Sequence, residues 1–248
     1  MKDNTNQFPS EVVTLPSKGI LYPKDSALSK GTIEMKYMTA REEDILTNQN
    51  LIENGTVIDK LLESLIVTDI DFNQLLTGDK NAILIAARVL GYGKDYTFEH
   101  KGEQINFDLT SVKDKVLDES LVTNGKNEFA FELPASGVLV TFKFLTHGDE
   151  QKIQQELKGL QKINKDATEG IIRWRYTITS INKSTDVKEL RDFIDNKLLA
   201  RDARALRNYI KKIQPDVDLS FDHVDQGGNT IKVIVPVGLK FFWPDAEL

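Results

Sequence analysis

The stretch "LLTGDKNAILIAARVLGYG", residues 75–93, constrains the fold more than any other part of the chain. Between Ala82 and Leu90 only Arg88 is polar, so a helix here has almost no hydrophilic face. A helix that is apolar all round has to be enclosed by other elements. The expected helix is capped at Asp79, runs to Leu90 and stops at Gly91, in the middle of a helical body. It is far too short to cross a bilayer. Arg88 is costly in such a place unless its charge is matched. The acidic run at residues 42–44 is the candidate partner.

The flanking sequence supplies the rest of that body. In "TAREEDILTN", Thr39 and Glu42 have capping-box spacing, and Glu43 and Asp44 add negative charge at the positive end of the helix dipole. Ile58, Leu61, Leu62 and Leu65 form one apolar stripe and predict a second helix over residues 57–67. The periodicity then shortens. "DYTFEH" and "EQINFDL" flank a "KG" turn, and "NEFAFELP" and "VLVTFKFLT" flank "ASG", so two hairpins are expected. Phe129, Phe131 and Leu133 share one face of the second. From Gly148 the helical period returns, with Ile153, Leu157, Leu160 and Ile163 in one stripe. "TEGIIRWRYTITSIN" fits both periods and is taken as helix. Two more helices follow before Pro215, the last with a buried edge of Leu199, Ala203, Leu206 and Ile210. The chain closes on a hairpin around "DQGG". The expectation is an α+β fold, a helical body with inserted and C-terminal β-hairpins. Its segments are an extended arm over residues 1–38, helical parts over 39–94 and 148–214, a β-rich insertion over 95–147, and a terminal hairpin over 215–248.

Little in the chain suggests bond-making chemistry. There is no cysteine among the 248 residues, which excludes disulfides, thiolate metal sites and thiol nucleophiles. The three histidines, His100, His147 and His223, stand apart and are read as surface or turn residues. No phosphate loop or nucleophile elbow is present. An enzyme, a cofactor and a metal are therefore not expected. The net charge of −6 argues against general nucleic-acid binding, which needs a basic surface. The opening "MKDNTNQFPSE" lacks the apolar core of a signal peptide, so an intracellular protein without a membrane span is expected.

Two surfaces stand out against that background. Lys197, Arg201, Arg204, Arg207, Lys211 and Lys212 crowd the last helix, relieved by Asp202. They form either a solvated face or a docking face for an acidic partner. Phe241, Phe242 and Trp243 near the C-terminus either pack inward or anchor a partner.

Taken in order, "LPSKGILYP", "MTAREEDILTN", "LLTGDKNAILIAARVLGYG", "RDARALRNYIKKIQPDVDLSFD" and "VGLKFFWPD" resemble the baseplate hub assembly proteins of T-even-type contractile-tail bacteriophages. The resemblance implies a non-enzymatic chaperone that helps build the central hub of the tail baseplate in the host cytoplasm. The implied partners are hub proteins and the tape-measure protein. The alternative is a structural minor subunit kept in the virion. Relatives of that family often carry zinc-ribbon cysteine pairs in their hairpins. Here the corresponding turns are degenerate and cannot hold zinc by thiolates.

The opening stretch "VVTLPSKGILYP" then reads as a strap whose two prolines limit the entropy lost on docking. It packs either on the protein's own helices or on a partner. The residues expected to bind partners are Lys18, Leu21 and Tyr22 of the strap, Arg204, Arg207 and Lys211 of the basic ridge, and Trp243.

Overall fold

The computed structural model describes residues 9–115, 117–123, 125–162 and 169–242. Trp243, expected to bind a partner, and Ile163 of the expected stripe lie outside the described residues.

From Ser10 to Lys36 the N-terminal segment is a strand pair closed by a strap rather than an extended arm. Strand β1, Ser10–Thr14, pairs antiparallel with β2, Thr32–Lys36, with Val13 opposite Ile33. The chain between them is a closed strap. Lys18 and Gly19 both take positive φ, 52° and 76°. A Cβ on Gly19 would fall 2.5 Å from the Gly31 nitrogen, so the two glycines let the ends of the strap lie backbone to backbone. Leu15 and Leu21 point inward and are 0% and 2% exposed. Burying a leucine contributes about 1.5–3 kcal/mol toward the ordering of this irregular segment.

Helix α1, Ala40–Leu46, opens as expected, with the Glu42 carboxylate accepting from the Thr39 N–H at 2.9 Å and the Thr39 hydroxyl at 2.6 Å. An additional helix, α2, Gln49–Asn54, follows. Asn48 caps it by accepting from the Leu51 N–H, and Gly55 ends it at φ 71°. Helix α3 covers Val57–Leu65, shorter than expected, because Val67 leaves the helix to donate its N–H to the Glu34 carbonyl of β2.

Helix α4, Thr77–Tyr92, is the central element. Ile83, Leu84, Ile85 and Ala87 are buried on several sides of it, as an apolar helix requires. Its ends differ from expectation. It starts two residues before Asp79, which is an internal and fully buried residue rather than the cap, and it continues past Gly91 to Tyr92. Gly78 is indispensable there: a Cβ would fall 1.8 Å from the Pro215 carbonyl oxygen.

The first hairpin joins β3, Asp95–His100, to β4, Glu103–Asp108. Lys101 and Gly102 turn it at φ 53° and 85°, the two positive values of a tight type I′ connection. Tyr96 stands opposite Phe107, and Phe98 opposite Ile105. Strand β5, Lys113–Asp114, leads to the second hairpin, β6, Phe129–Glu132, and β7, Leu139–Phe142. Helix α5, His147–Lys162, and helix α6, Glu169–Thr177, come next. The ambiguous stretch resolves as both periods in turn: α6 ends at Thr177 and β8, Ile178–Ile181, continues at once as the third strand beside β7. The β-rich insertion therefore borrows a strand from beyond residue 147.

Helix α7, Val187–Asp192, runs into a π-helical turn, Phe193–Lys197, and α8, Ala200–Ile213, closes the helical body. Strand β9, Val217–Asp218, pairs with β5, and β10, Ser220–Val224, forms the last hairpin with β11, Thr230–Ile234. Its Phe221 meets Phe107 of β4 at 4.5 Å between ring centres. One core cluster contains Leu15, Leu61, Ile83, Phe98, Phe142, Leu206, Val233 and Phe241, so strap, helices and hairpins bury their apolar sides together. A second, smaller cluster, Ile153, Leu157 and Ile172, holds α5 on α6. The architecture is α+β. Among the described residues, no helix is long and apolar enough to cross a membrane.

Candidate functional site

The strap is locked to α4 by a buried polar network. Asp79 accepts from the Ser17 N–H at 2.9 Å, the Ser17 hydroxyl at 2.6 Å and the Tyr22 hydroxyl at 2.6 Å. The Tyr22 oxygen in turn accepts the Leu76 N–H at 2.9 Å, satisfying a donor at the start of α4 that no helical carbonyl can reach. Burial raises the Asp79 carboxyl above its usual range, against the pull of its three donors. Burial, and then the charge of Asp79, push the Tyr22 hydroxyl far above ordinary phenol values. Leu21 and Tyr22 are 2% and 3% exposed. Leu15, Leu21 and Tyr22 of the strap are thus spent on the protein's own core, with Leu21 and Tyr22 also lining a cleft, while Val12 is 70% exposed. Lys18 projects outward and pairs with Glu119 at 2.9 Å, both ends well exposed, a contact that adds little stability.

Glu42 is the second buried carboxylate. Burial opposes its ionisation, but hydrogen bonds from Lys36, Thr39 and Ser64 outweigh that and hold it at about 2. The Arg88 guanidinium donates to the carbonyls of Phe241, Gly93 and Asp95 and lies over the rings of Tyr92 and Tyr96, and none of these contacts is with the acidic run at residues 42–44. Carbonyl dipoles and aromatic faces both attract a guanidinium. The acidic run still reaches α4, through Glu43 beside Tyr92.

Helix α8 is amphipathic in the expected sense. Leu206 and Ile213 are buried, and Tyr209 stacks on Phe131 at 4.6 Å, which seats the helix on the β6–β7–β8 sheet. Leu199 is 49% exposed and is not part of the buried edge; it precedes the first turn and faces away. Asp202 does not screen the ridge. It is fully buried and accepts the N–H groups of Ala135 and Ser136 at 2.7 and 3.1 Å, fastening α8 to the β6–β7 turn. The outer face carries Arg201, Arg204, Arg207, Lys211 and Lys212, all exposed. None has a carboxylate within salt-bridge distance among the described residues. Arg207 lies over the Trp174 ring at 5.6 Å, which fixes its direction. The structure relates ridge and strap through one segment: Glu119 takes Lys18, and the charge of Lys212 reaches the neighbouring Asp118. Phe241 and Phe242 are fully buried, so the C-terminal aromatics up to residue 242 pack inward.

One histidine departs from expectation. His147 is 4% exposed and stacks edge-on against Phe72. Its Nδ1 lies 3.1 Å from Lys80 Nζ and its Nε2 2.9 Å from the Gln151 carboxamide. Lys80 is held at 2.6 Å by Asp59. Burial, and then the Lys80 charge, lower the His147 pKa against the pull of Asp59, Glu63 and Glu150. Its partners Phe72 and Lys80 come from segments distant in the chain, so no local sequence signal marks it. His100 is half-buried at the end of β3, and His223 Nε2 lies 3.2 Å from Glu103 Oε1. Among the described residues, no group of three or more histidine or carboxylate side chains could hold a metal ion. Comparison with protein-family models, with curated proteins and with solved structures finds no match for this chain.

Proposed function

We propose that this chain is a non-enzymatic assembly factor for the central hub of a contractile-tail phage baseplate, acting in the host cytoplasm on hub and tape-measure proteins. The observation that supports the reading is how the five family-like stretches meet. The third forms α4, and the other four contact it. Asp79 holds Ser17 and Tyr22 of the first stretch, and Gly91 and Tyr92 abut Met38 and Glu43 of the second. Asn81 donates to Asp216 of the fourth at 3.0 Å, and Arg88 to the Phe241 carbonyl of the fifth at 2.9 Å.

The binding surface in this reading is the outer face of α8, where Arg204, Arg207 and Lys211 point to solvent on a chain of net charge −6. Unmatched cations on a rigid helix steer and orient an acidic partner. The alternative, a minor subunit retained in the particle, draws on Val224 and Ile234, 61% and 68% exposed on the outer face of the last hairpin. Permanent interfaces cover such residues. Deleting the chain from the phage genome that encodes it tests the proposal. Loss of baseplates with accumulation of tail-less heads is expected, and normal tails in the deletion would overturn it. Mass spectrometry of purified virions separates the two roles, since stoichiometric retention identifies a structural subunit.

A further inference from the structure

Strand β1 has one side paired and one side open. Its odd-numbered residues turn their main-chain groups to β2: the Pro9 carbonyl accepts the Tyr37 N–H at 3.1 Å, and Leu15 donates to the Gly31 carbonyl at 2.9 Å. In an antiparallel pair the intervening residues point the other way. On β2 those outward groups are used, because Glu34 donates its N–H to the Thr68 hydroxyl at 2.8 Å and accepts the Val67 N–H at 2.8 Å. On β1 they belong to Ser10, Val12 and Thr14, and among the described residues no strand pairs with that side. The edge is bare above and below the sheet, since Val12 on one face and Glu11 on the other are both exposed.

Edge strands are ordinarily guarded by lysine, proline or a bulge. The last hairpin has Lys232 in β11, but Ser10–Thr14 reads SEVVT, pairs with β2 in unbroken register and carries none of the three. What fits this edge follows from its own symmetry. The three outward positions are centred on Val12, so a second β1 laid antiparallel about a two-fold axis at Val12 meets all of them. Ser10 then stands beside Thr14 of the second copy, hydroxyl by hydroxyl, and the two Val12 side chains cover one another. Glu11 faces Val13 of the second copy, so no like charges are opposed. Three pairs each exchange two main-chain hydrogen bonds, which uses every outward donor and acceptor of both strands.

We infer that two copies of this chain associate through β1, joining their β1–β2 pairs into one four-stranded antiparallel sheet with two-fold symmetry. A five-residue edge, about 17 Å long, buries less than a standard interface, so the association is weak and reversible. It is separate from the α8 face and does not depend on the hub assignment. Sedimentation equilibrium of the full chain, run up to about 1 mM, should show monomer and dimer in exchange. Val12→Pro removes an outward N–H that the monomer does not use, at an edge position where proline is tolerated. Val12→Lys sets like charges on the axis at a side chain that is 70% exposed. Each should weaken dimerisation at least about tenfold, while thermal melts of the dilute protein match the wild type. In a chain without cysteine, Val12→Cys treated with a thiol oxidant should give a disulfide-linked dimer faster than Ile234→Cys, a position 68% exposed. The inference is overturned if the wild type stays monomeric throughout that range or if Val12→Lys dimerises as the wild type does. It also fails if the two cysteine variants cross-link at the same rate. None of these outcomes bears on the deletion phenotype, so the two proposals fail separately.

Discussion

Replacing Asp79 by Ala should unfasten the strap. The substitution leaves the Ser17 N–H, the Ser17 hydroxyl and the Tyr22 hydroxyl without their common acceptor inside the core. A buried donor left unsatisfied costs about 1–3 kcal/mol, so three give a gross loss of roughly 3–9 kcal/mol. Two terms reduce it. Both hydroxyls can rotate toward other acceptors, and removing a carboxyl whose charge is opposed by burial returns part of its desolvation cost. A net loss of about 3 kcal/mol is expected, which for a chain of this size lowers Tm by roughly 6–12 °C. Tyr22→Phe should cost less, about 1–2 kcal/mol, because Asp79 keeps both bonds to Ser17 and only the Leu76 N–H loses its acceptor. Urea unfolding followed by far-ultraviolet circular dichroism measures both, with an unchanged slope showing that the same surface is exposed. A loss below about 1 kcal/mol for Asp79→Ala, or a larger loss for Tyr22→Phe, would refute the latch.

Two other perturbations follow from the same geometry. Gly78→Ala forces a Cβ to 1.8 Å from the Pro215 oxygen and should destabilise severely, whereas Gly159→Ala, in open space within α5, should stabilise by about 0.5–1 kcal/mol; thermal melts of the two variants should move in opposite directions. Glu42 has a folded pKa of about 2, below the reference 4.5, so its contribution is present above pH 4.5 and is lost as pH falls through about 2. The stability gap between the wild type and Glu42→Gln should therefore narrow over that window in urea titrations, and a constant gap would contradict the assignment.

The parts of this fold that were legible in the sequence are those where one local signal suffices. The enclosed α4, the Thr39–Glu42 box and the three hairpins follow from hydrophobic period and turn residues alone. Elements whose form depends on a distant neighbour were not legible. Strand β1 exists because β2 lies beside it, and β8 begins where β7 offers an open edge. Asp79 and Asp202 look like helix-start carboxylates in one dimension, and only the strap and the β6–β7 turn make them buried fasteners. Arg88 was expected to meet a carboxylate of the run at residues 42–44, and the backbone carbonyls of residues 93, 95 and 241 that it does meet carry no sequence mark. The basic ridge was visible because helical spacing alone places Arg204, Arg207 and Lys211 on one side.

Whether this molecule works by presenting surface to other chains is tested by affinity purification of the tagged protein from infected cells, with bound chains identified by mass spectrometry. Baseplate hub or tape-measure proteins should accompany the wild type and fall away from the variant with Arg204, Arg207 and Lys211 reversed to Glu, which should remain folded. Recovery of no such protein, or equal recovery with both, would contradict it.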